Sequence, residues 1–196
     1  MSGASGGPIP VLTGESAQAW VKAGGRTDDD RLIRGSVQEI IERVRNEGDA
    51  ALLDLAERYE SGRPDSLLVP RAACDAALAR LPEERRTALD VAARNIRRFH
   101  EGQVGDEPAV QIMPGVTAWR EFRPMDRIGV YAPGGRAAYP SSVLMSAIPA
   151  RLAGVREIAL CCPAGPDGLP PVSVLAACAL LVVDDLFAVG GARAIA

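Results

Sequence analysis

Apolar residues recur along this chain with two periods, and the change from one to the other divides it. From Val37 they fall at Val37, Ile40, Ile41 and Val44, then at Leu52, Leu53, Leu55 and Ala56, the three-to-four spacing of amphipathic helices. Asn46-Glu47-Gly48-Asp49 interrupts the pattern, so Gly48 is expected to stop one helix and Asp49 to cap the next. Thr27-Asp28-Asp29-Asp30 supplies N-cap chemistry ahead of the first. Arg63-Pro64-Asp65 reads as a turn and Ser66–Val69 as an extended piece. Pro70–Leu81 predicts a short helix, and Pro82-Glu83-Glu84 opens a longer one. That longer helix carries Leu89, Ala92, Ala93, Ile96 and Phe99 on one face and Arg94, Arg97 and Arg98 on a solvated one. Beyond a linker-like stretch at Gly102–Glu107, Val110–Met113 and Val116–Phe122 flank Pro114-Gly115 as a β-hairpin.

After Arg127 the rhythm becomes short apolar runs alternating with Ala/Leu-rich helices. Ile128–Tyr131 breaks at Pro133-Gly134-Gly135, and Tyr139-Pro140-Ser141-Ser142 opens a helical run over Val143–Leu152. Ser141 and Ser142 are read as caps of that helix, not nucleophiles, and Pro149 inside it is expected to kink it or remove a hydrogen bond. Glu157–Cys162 is a second strand, Val172–Val182 a second helix, and Leu186–Val189 a third strand stopped by Gly190-Gly191. The fold class that follows is α/β. A helical N-terminal portion with a hairpin precedes half of a Rossmann-like parallel βαβαβ unit. The expected divisions are 1–26, a flexible arm; 27–126, the helical portion with its hairpin; and 127–196, the half-domain. Parallel strands gather their carboxyl ends at one crevice, which puts Tyr131 there with a ring to stack and a hydroxyl to bond. The glycine spacing is not G-x-G-x-x-G, so the turn alone is a weak nucleotide signal. The apolar third strand and second helix are expected to leave a bare edge that promotes association.

A net charge of −3 and a pI near 5.3 describe a soluble protein without a general pull toward nucleic acid or anionic membrane. No apolar run reaches the ~18 residues a membrane span needs, and Met1–Ser16 has neither a basic nor an apolar leader region. The cytoplasm is therefore the expected compartment. Cys74, Cys161, Cys162 and Cys178 lack C-x-x-C spacing and are read as reduced, buried hydrophobes, with Cys161 and Cys162 on opposite strand faces. His100, the single histidine, ends an amphipathic helix and is expected to serve structure or surface.

The runs RIGVYAPGGRAAYPSSVLMSAIPARLAGVREI and LFAVGGARAIA resemble histidinol dehydrogenases. So do Ser36–Tyr59, Ala88–His100 and the hairpin Met113-Pro114-Gly115-Val116, which extends the likeness from about Arg34 to Ala196. The resemblance implies a fold of two Rossmann-like lobes and oxidation of L-histidinol to L-histidine through histidinaldehyde. Two NAD molecules take the hydrides, zinc sits in the site, and full-length relatives form a homodimer. It implies no nucleic-acid or membrane partner. Carried over residue by residue, Tyr131 matches an NAD-contacting tyrosine, with Gly134 and Gly135 in the adjoining turn. A second NAD contact, the glutamine of V-G-G-A-Q-A-I-A, is replaced here by Arg193. A guanidinium only donates and is always charged, so it suits a cofactor phosphate but cannot accept from a ribose hydroxyl; failing that, Arg193 would face solvent in a frayed last turn. The family's zinc ligands and Glu/His pair lie beyond the matched run, so no catalytic or metal residue is assigned in this chain. The expectation is a truncated chain, inactive alone. The alternatives are a non-catalytic nucleotide-binding pseudo-enzyme or one half of a split enzyme.

Overall fold

The computed structural model describes residues 13–22, 28–105, 108–134 and 137–196, with no side-chain account of 28–30. Two compact units divide at Met1–Glu39 and Ile40–Ala196. The first holds α1 (Gly14–Lys22) and the opening of α2 (Asp28–Glu47). Ser16 Oγ donates to the Thr13 carbonyl at 2.7 Å, which closes the first turn of α1. Thr27, the expected cap of α2, lies outside the described residues.

The second unit is built on three parallel strands in the order β3-β4-β5: Arg127–Tyr131, Glu157–Cys162 and Asp185–Ala188. They are joined by α6 (Pro140–Leu152) and α7 (Val172–Leu180). This is the α/β arrangement the alternating pattern predicts. Val130, Leu160 and Leu186 pair across the strands and point into the core, where Val143, Leu144 and Ile148 of α6 and Val174 and Cys178 of α7 meet them. The next row, Tyr131, Cys161 and Phe187, points to the opposite, partly open face. A third layer follows, since α4 (Arg71–Arg80) packs on α7 and α5 (Glu83–Glu101) on α6. Cys161 and Cys162 lie on opposite faces, half-buried and buried. All four cysteines are free, and burial pushes the Cys162 thiol up to about 12.

Several local expectations change. Gly48, with φ of 60°, is itself the cap of α3 (Asp49–Tyr59), and its N–H donates to the Val44 carbonyl at 2.8 Å. Asp49 is the first helical residue. Its carboxylate lies in the first turn, favourable to the dipole without capping it. Ser141 and Ser142 are likewise inside the first turn of α6, which Tyr139 begins through a carbonyl that accepts from the Ser142 N–H at 3.0 Å. Pro149 lies inside α6, which runs on to Leu152 as expected. Leu89, Ala92, Ala93 and Ile96 pack against the core, but Phe99, three residues further along α5, is 69% exposed and stacks edge-on against His100. The hairpin forms, with Gly115 at φ of 83°. Its second strand, β2 (Val116–Ala118), stops short of Phe122, and both strands are exposed along their length.

The bare edge expected at β5 is covered. Val69 N–H donates to the Leu186 carbonyl at 2.8 Å and Ala188 N–H to the Leu67 carbonyl at 2.7 Å, so residues 67–69 add an antiparallel rung outside the last strand. Six of the nine residues of α7 are buried. Backbone hydrogen bonding on one side and α4 on the other satisfy an element whose composition alone reads as sticky. Leucine and valine in the extended piece were the visible half of that pairing.

Candidate functional site

The three turns that leave the carboxyl ends of the strands converge, as parallel topology requires. After β3 comes Ala132-Pro133-Gly134, after β4 Pro163-Ala164-Gly165, and after β5 Val189-Gly190-Gly191. These turns pack with no slack. A Cβ at Gly134 would stand 2.6 Å from Cys162 Sγ, and one at Gly190 would stand 2.5 Å from Pro163 Cγ. Glycine at both positions is therefore explained by close approach between turns. Gly135 lies outside the described residues.

Tyr131, at the end of β3, is 38% exposed, and its hydroxyl accepts from the Gly191 N–H at 3.2 Å. That bond joins the strand end to the glycine turn, while Tyr131 and Gly134 themselves lie outside the lining of the cleft beside Gly191. Behind them sits a carboxylate that sequence reasoning missed. Glu60, the residue that ends α3, has its side chain only 3% exposed. Its Oε2 accepts from the Ala164 N–H at 2.7 Å, and its Oε1 accepts from the Gly190 N–H at 2.8 Å and from the Arg193 guanidinium. One carboxyl group therefore ties the end of α3 to the turns after β4 and β5.

Arg193 is the sharpest correction. It lies in the short helix Gly191–Ala194, and its side chain is 4% exposed instead of facing solvent. Its charge is matched by Glu60, while Nη1 is buried without a hydrogen-bond partner. Leaving such a donor unmet costs about 1–3 kcal/mol, and removing one member of a buried ion pair costs about 3–5 kcal/mol. A readable signal for Glu60 did exist. An acid at the carboxyl end of a helix opposes the macrodipole and needs another partner.

Two clefts border this network. One of about 370 Å³ is lined by Tyr59, Glu60, Pro163, Gly190, Gly191 and Arg193. The other, about 440 Å³, opens between α3 and the far sheet face at Leu53, Leu68, Cys161 and Phe187. A larger hollow of about 870 Å³ lies beside the hairpin, where Glu121 and Arg123 pair with each other. We place the candidate site at the strand ends because backbone donors and a buried ion pair converge there. His100 lines neither strand-end cleft; its Nδ1 is 2.7 Å from Gln103 Oε1 at the end of α5. Arg94, Arg97 and Arg98 are exposed, as the solvated face requires. Among the described residues no three His, Cys, Asp or Glu side chains gather closely enough to hold a metal ion. Among them, too, no helix is long and apolar enough to cross a membrane.

Fold and crevice define the class: an open parallel α/β unit whose strand-end turns frame a cleft. A family profile for histidinol dehydrogenase matches residues 25–196. The histidinol dehydrogenase of Parasynechococcus marenigrum (strain WH8102) is 43% identical over 171 residues, which is 87% of this chain and 39% of the relative. That of Streptomyces avermitilis is 46% identical over 162 residues, covering 82% and 37%. A crystal structure of histidinol dehydrogenase from Elizabethkingia anophelis superposes with a TM-score of 0.78 at 32% identity, over 95% of this chain and 39% of that one. The chain belongs to the histidinol dehydrogenase family. It spans 37 to 39% of the length of these relatives.

Proposed function

We propose that this chain provides the nucleotide crevice of a cytoplasmic histidinol dehydrogenase, an enzyme that oxidises L-histidinol through histidinaldehyde to L-histidine. The observation that carries this reading is the contact between the Tyr131 hydroxyl and the Gly191 N–H at the carboxyl end of a parallel sheet, in a chain of this family. A cleft of about 370 Å³ beside it is large enough to hold part of a dinucleotide. Bound there, NAD would supply the hydride acceptor. Tyr131 offers an aromatic edge to the base or nicotinamide, and Gly134 opens the turn that follows it. Arg193, neutralised by Glu60, shapes the wall of the crevice and does not act as a free cation toward phosphate. The described residues do not offer a zinc-ligand set. In this reading the 196 residues bind cofactor weakly and do not turn over L-histidinol by themselves.

NMR titration with NAD tests it. The expected result is weak binding, no better than roughly millimolar, or about −4 kcal/mol. Shifts should centre on Tyr131, Gly134 and Gly191, and Tyr131→Ala should abolish them. Shifts confined to α4 and α5, or none at all, would reject the crevice as a nucleotide site. Stoichiometric zinc together with NADH formation from L-histidinol by this chain would reject the division of labour.

A further inference from the structure

We infer that Glu60 is the positioning residue of the crevice, acting with Arg193 as a charge-matched clamp on the Gly190-Gly191 turn and, through it, on the Tyr131 hydroxyl. The inference rests on the nucleotide reading above for its effect on binding, and on geometry alone for the clamp. Every contact in the relay is present. Glu60 Oε1 receives the Gly190 N–H at 2.8 Å, and the next amide, Gly191 N–H, reaches the Tyr131 hydroxyl at 3.2 Å. Glu60 Oε2 holds Ala164, in the turn whose Pro163 leaves no room for a side chain at Gly190. Displacing the carboxylate thus releases both turns together.

Charge is what makes the pair a unit. Arg193 and Glu60 are 4% and 3% exposed, and no other ion pair of either is found among the described residues. Neutralising one alone strands the other's charge in a place with little solvent, whereas neutralising both removes the stranded charge, with the amide oxygen of Glu60→Gln able to accept from only one of the Ala164 and Gly190 N–H groups. Arg193 Nη1 already lacks a partner, so the doubly neutral pair also removes an unmet donor. The clamp therefore predicts partial rescue: the double change should restore the stability lost to a stranded charge, with one of the two turn contacts still missing.

The test uses the full chain as wild type, Glu60→Gln, Arg193→Gln and the double variant, with Arg123→Gln at the exposed pair as control. Amide and tyrosine-ring NMR spectra are recorded with and without NAD. In each single variant the Gly190, Gly191 and Ala164 amides should shift and exchange faster, and the Tyr131 ring should move. In Glu60→Gln affinity for NAD should fall by about tenfold. The double variant should unfold at higher urea than either single variant, and the control should match wild type. Single variants with an unmoved Gly191 amide and Tyr131 ring overturn the clamp, as does a double variant no more stable than the singles. If a single variant fails to fold, the double must fold. A double variant that also fails to fold overturns the inference. Wild type without NAD shifts rejects the nucleotide reading, and the amide and ring signals still decide the clamp.

Discussion

Replacing Gly134 with alanine asks whether that glycine serves packing or ligand approach. The new Cβ would lie 2.6 Å from Cys162 Sγ, 3.3 Å from Pro171 Cδ and 3.5 Å from Pro163 Cδ. Ordinary carbon contacts begin near 3.5 Å, so the sulfur is about an ångström too close. It cannot retreat into solvent, because Cys162 is 0% exposed and lies in the main core cluster. Overpacking of this kind costs about 1–3 kcal/mol, and a chain of this size loses roughly 2–4 °C of melting temperature per kcal/mol. Cys162→Ala removes the obstruction and leaves a small void, at a cost of about 1 kcal/mol. If the sulfur is the obstacle, the double variant is more stable than the sum of the singles by about 1 kcal/mol or more, within the range found for contacting residues. Urea unfolding followed by far-ultraviolet circular dichroism measures all four proteins. Additive losses would refute the packing account. So would Gly134→Ala with unchanged stability, an outcome that points to ligand approach as the reason for the glycine.

Asp184 gives a pH signature. Burial raises its pKa, but hydrogen bonds from the Ile158 N–H and Arg151, each at 2.7 Å, outweigh that and leave it below 3.8. The stability it contributes is therefore present above 3.8 and lost as pH falls through the lower folded value. With the side chain 40% exposed, Asp184→Asn should cost no more than about 1 kcal/mol at neutral pH, and the gap in urea midpoints should close as pH falls below 3.8; a gap that widens in acid contradicts this. Val182, a branched residue at φ of 51°, ends α7 where the Val183 N–H reaches back to the Cys178 carbonyl at 3.0 Å, a place that favours glycine. Val182→Gly should raise stability by about 0.5–1 kcal/mol, and a lower melting temperature would show that the valine side chain outweighs its strain. Val69→Pro deletes the donor that bonds Leu186 and uncovers β5, so it should shift size-exclusion profiles toward larger species while Val69→Ala does not. Indistinguishable profiles would mean that residues 67–69 do not protect that edge.

Elements were readable where a single stretch of chain decides them. The alternation after Arg127 encodes strands buried on one face and helices packed against them, and the structure follows it closely. The caps expected at Asp49 and at Ser141-Ser142 were misplaced because backbone carbonyls and restricted residues do the work expected of side chains. Pro70, Pro82 and Pro171 stand before α4, α5 and α7, and none of these starts has a side-chain cap bond. The extended Ser66–Val69 segment was visible, but its partner was not, since no local period says which distant edge a strand will cover.

The same limit governs the crevice. Tyr131 and the glycine turns follow from topology, since parallel strands must end together. Glu60 makes its bonds across 104, 130 and 133 residues of sequence. Its place at the end of α3 says that it needs a partner, but no local pattern says which. Arg193 was misjudged for a related reason: taken alone, a terminal arginine has solvent or phosphate as its natural partners, and the counter-charge that buries it lies at the end of α3. Neither residue makes physical sense without the other. A carboxylate at a helix carboxyl end is unfavourable there, and an arginine 5% exposed is unfavourable almost anywhere. Two locally costly choices that cancel in space mark the place where the fold fixes the geometry of its strand-end turns.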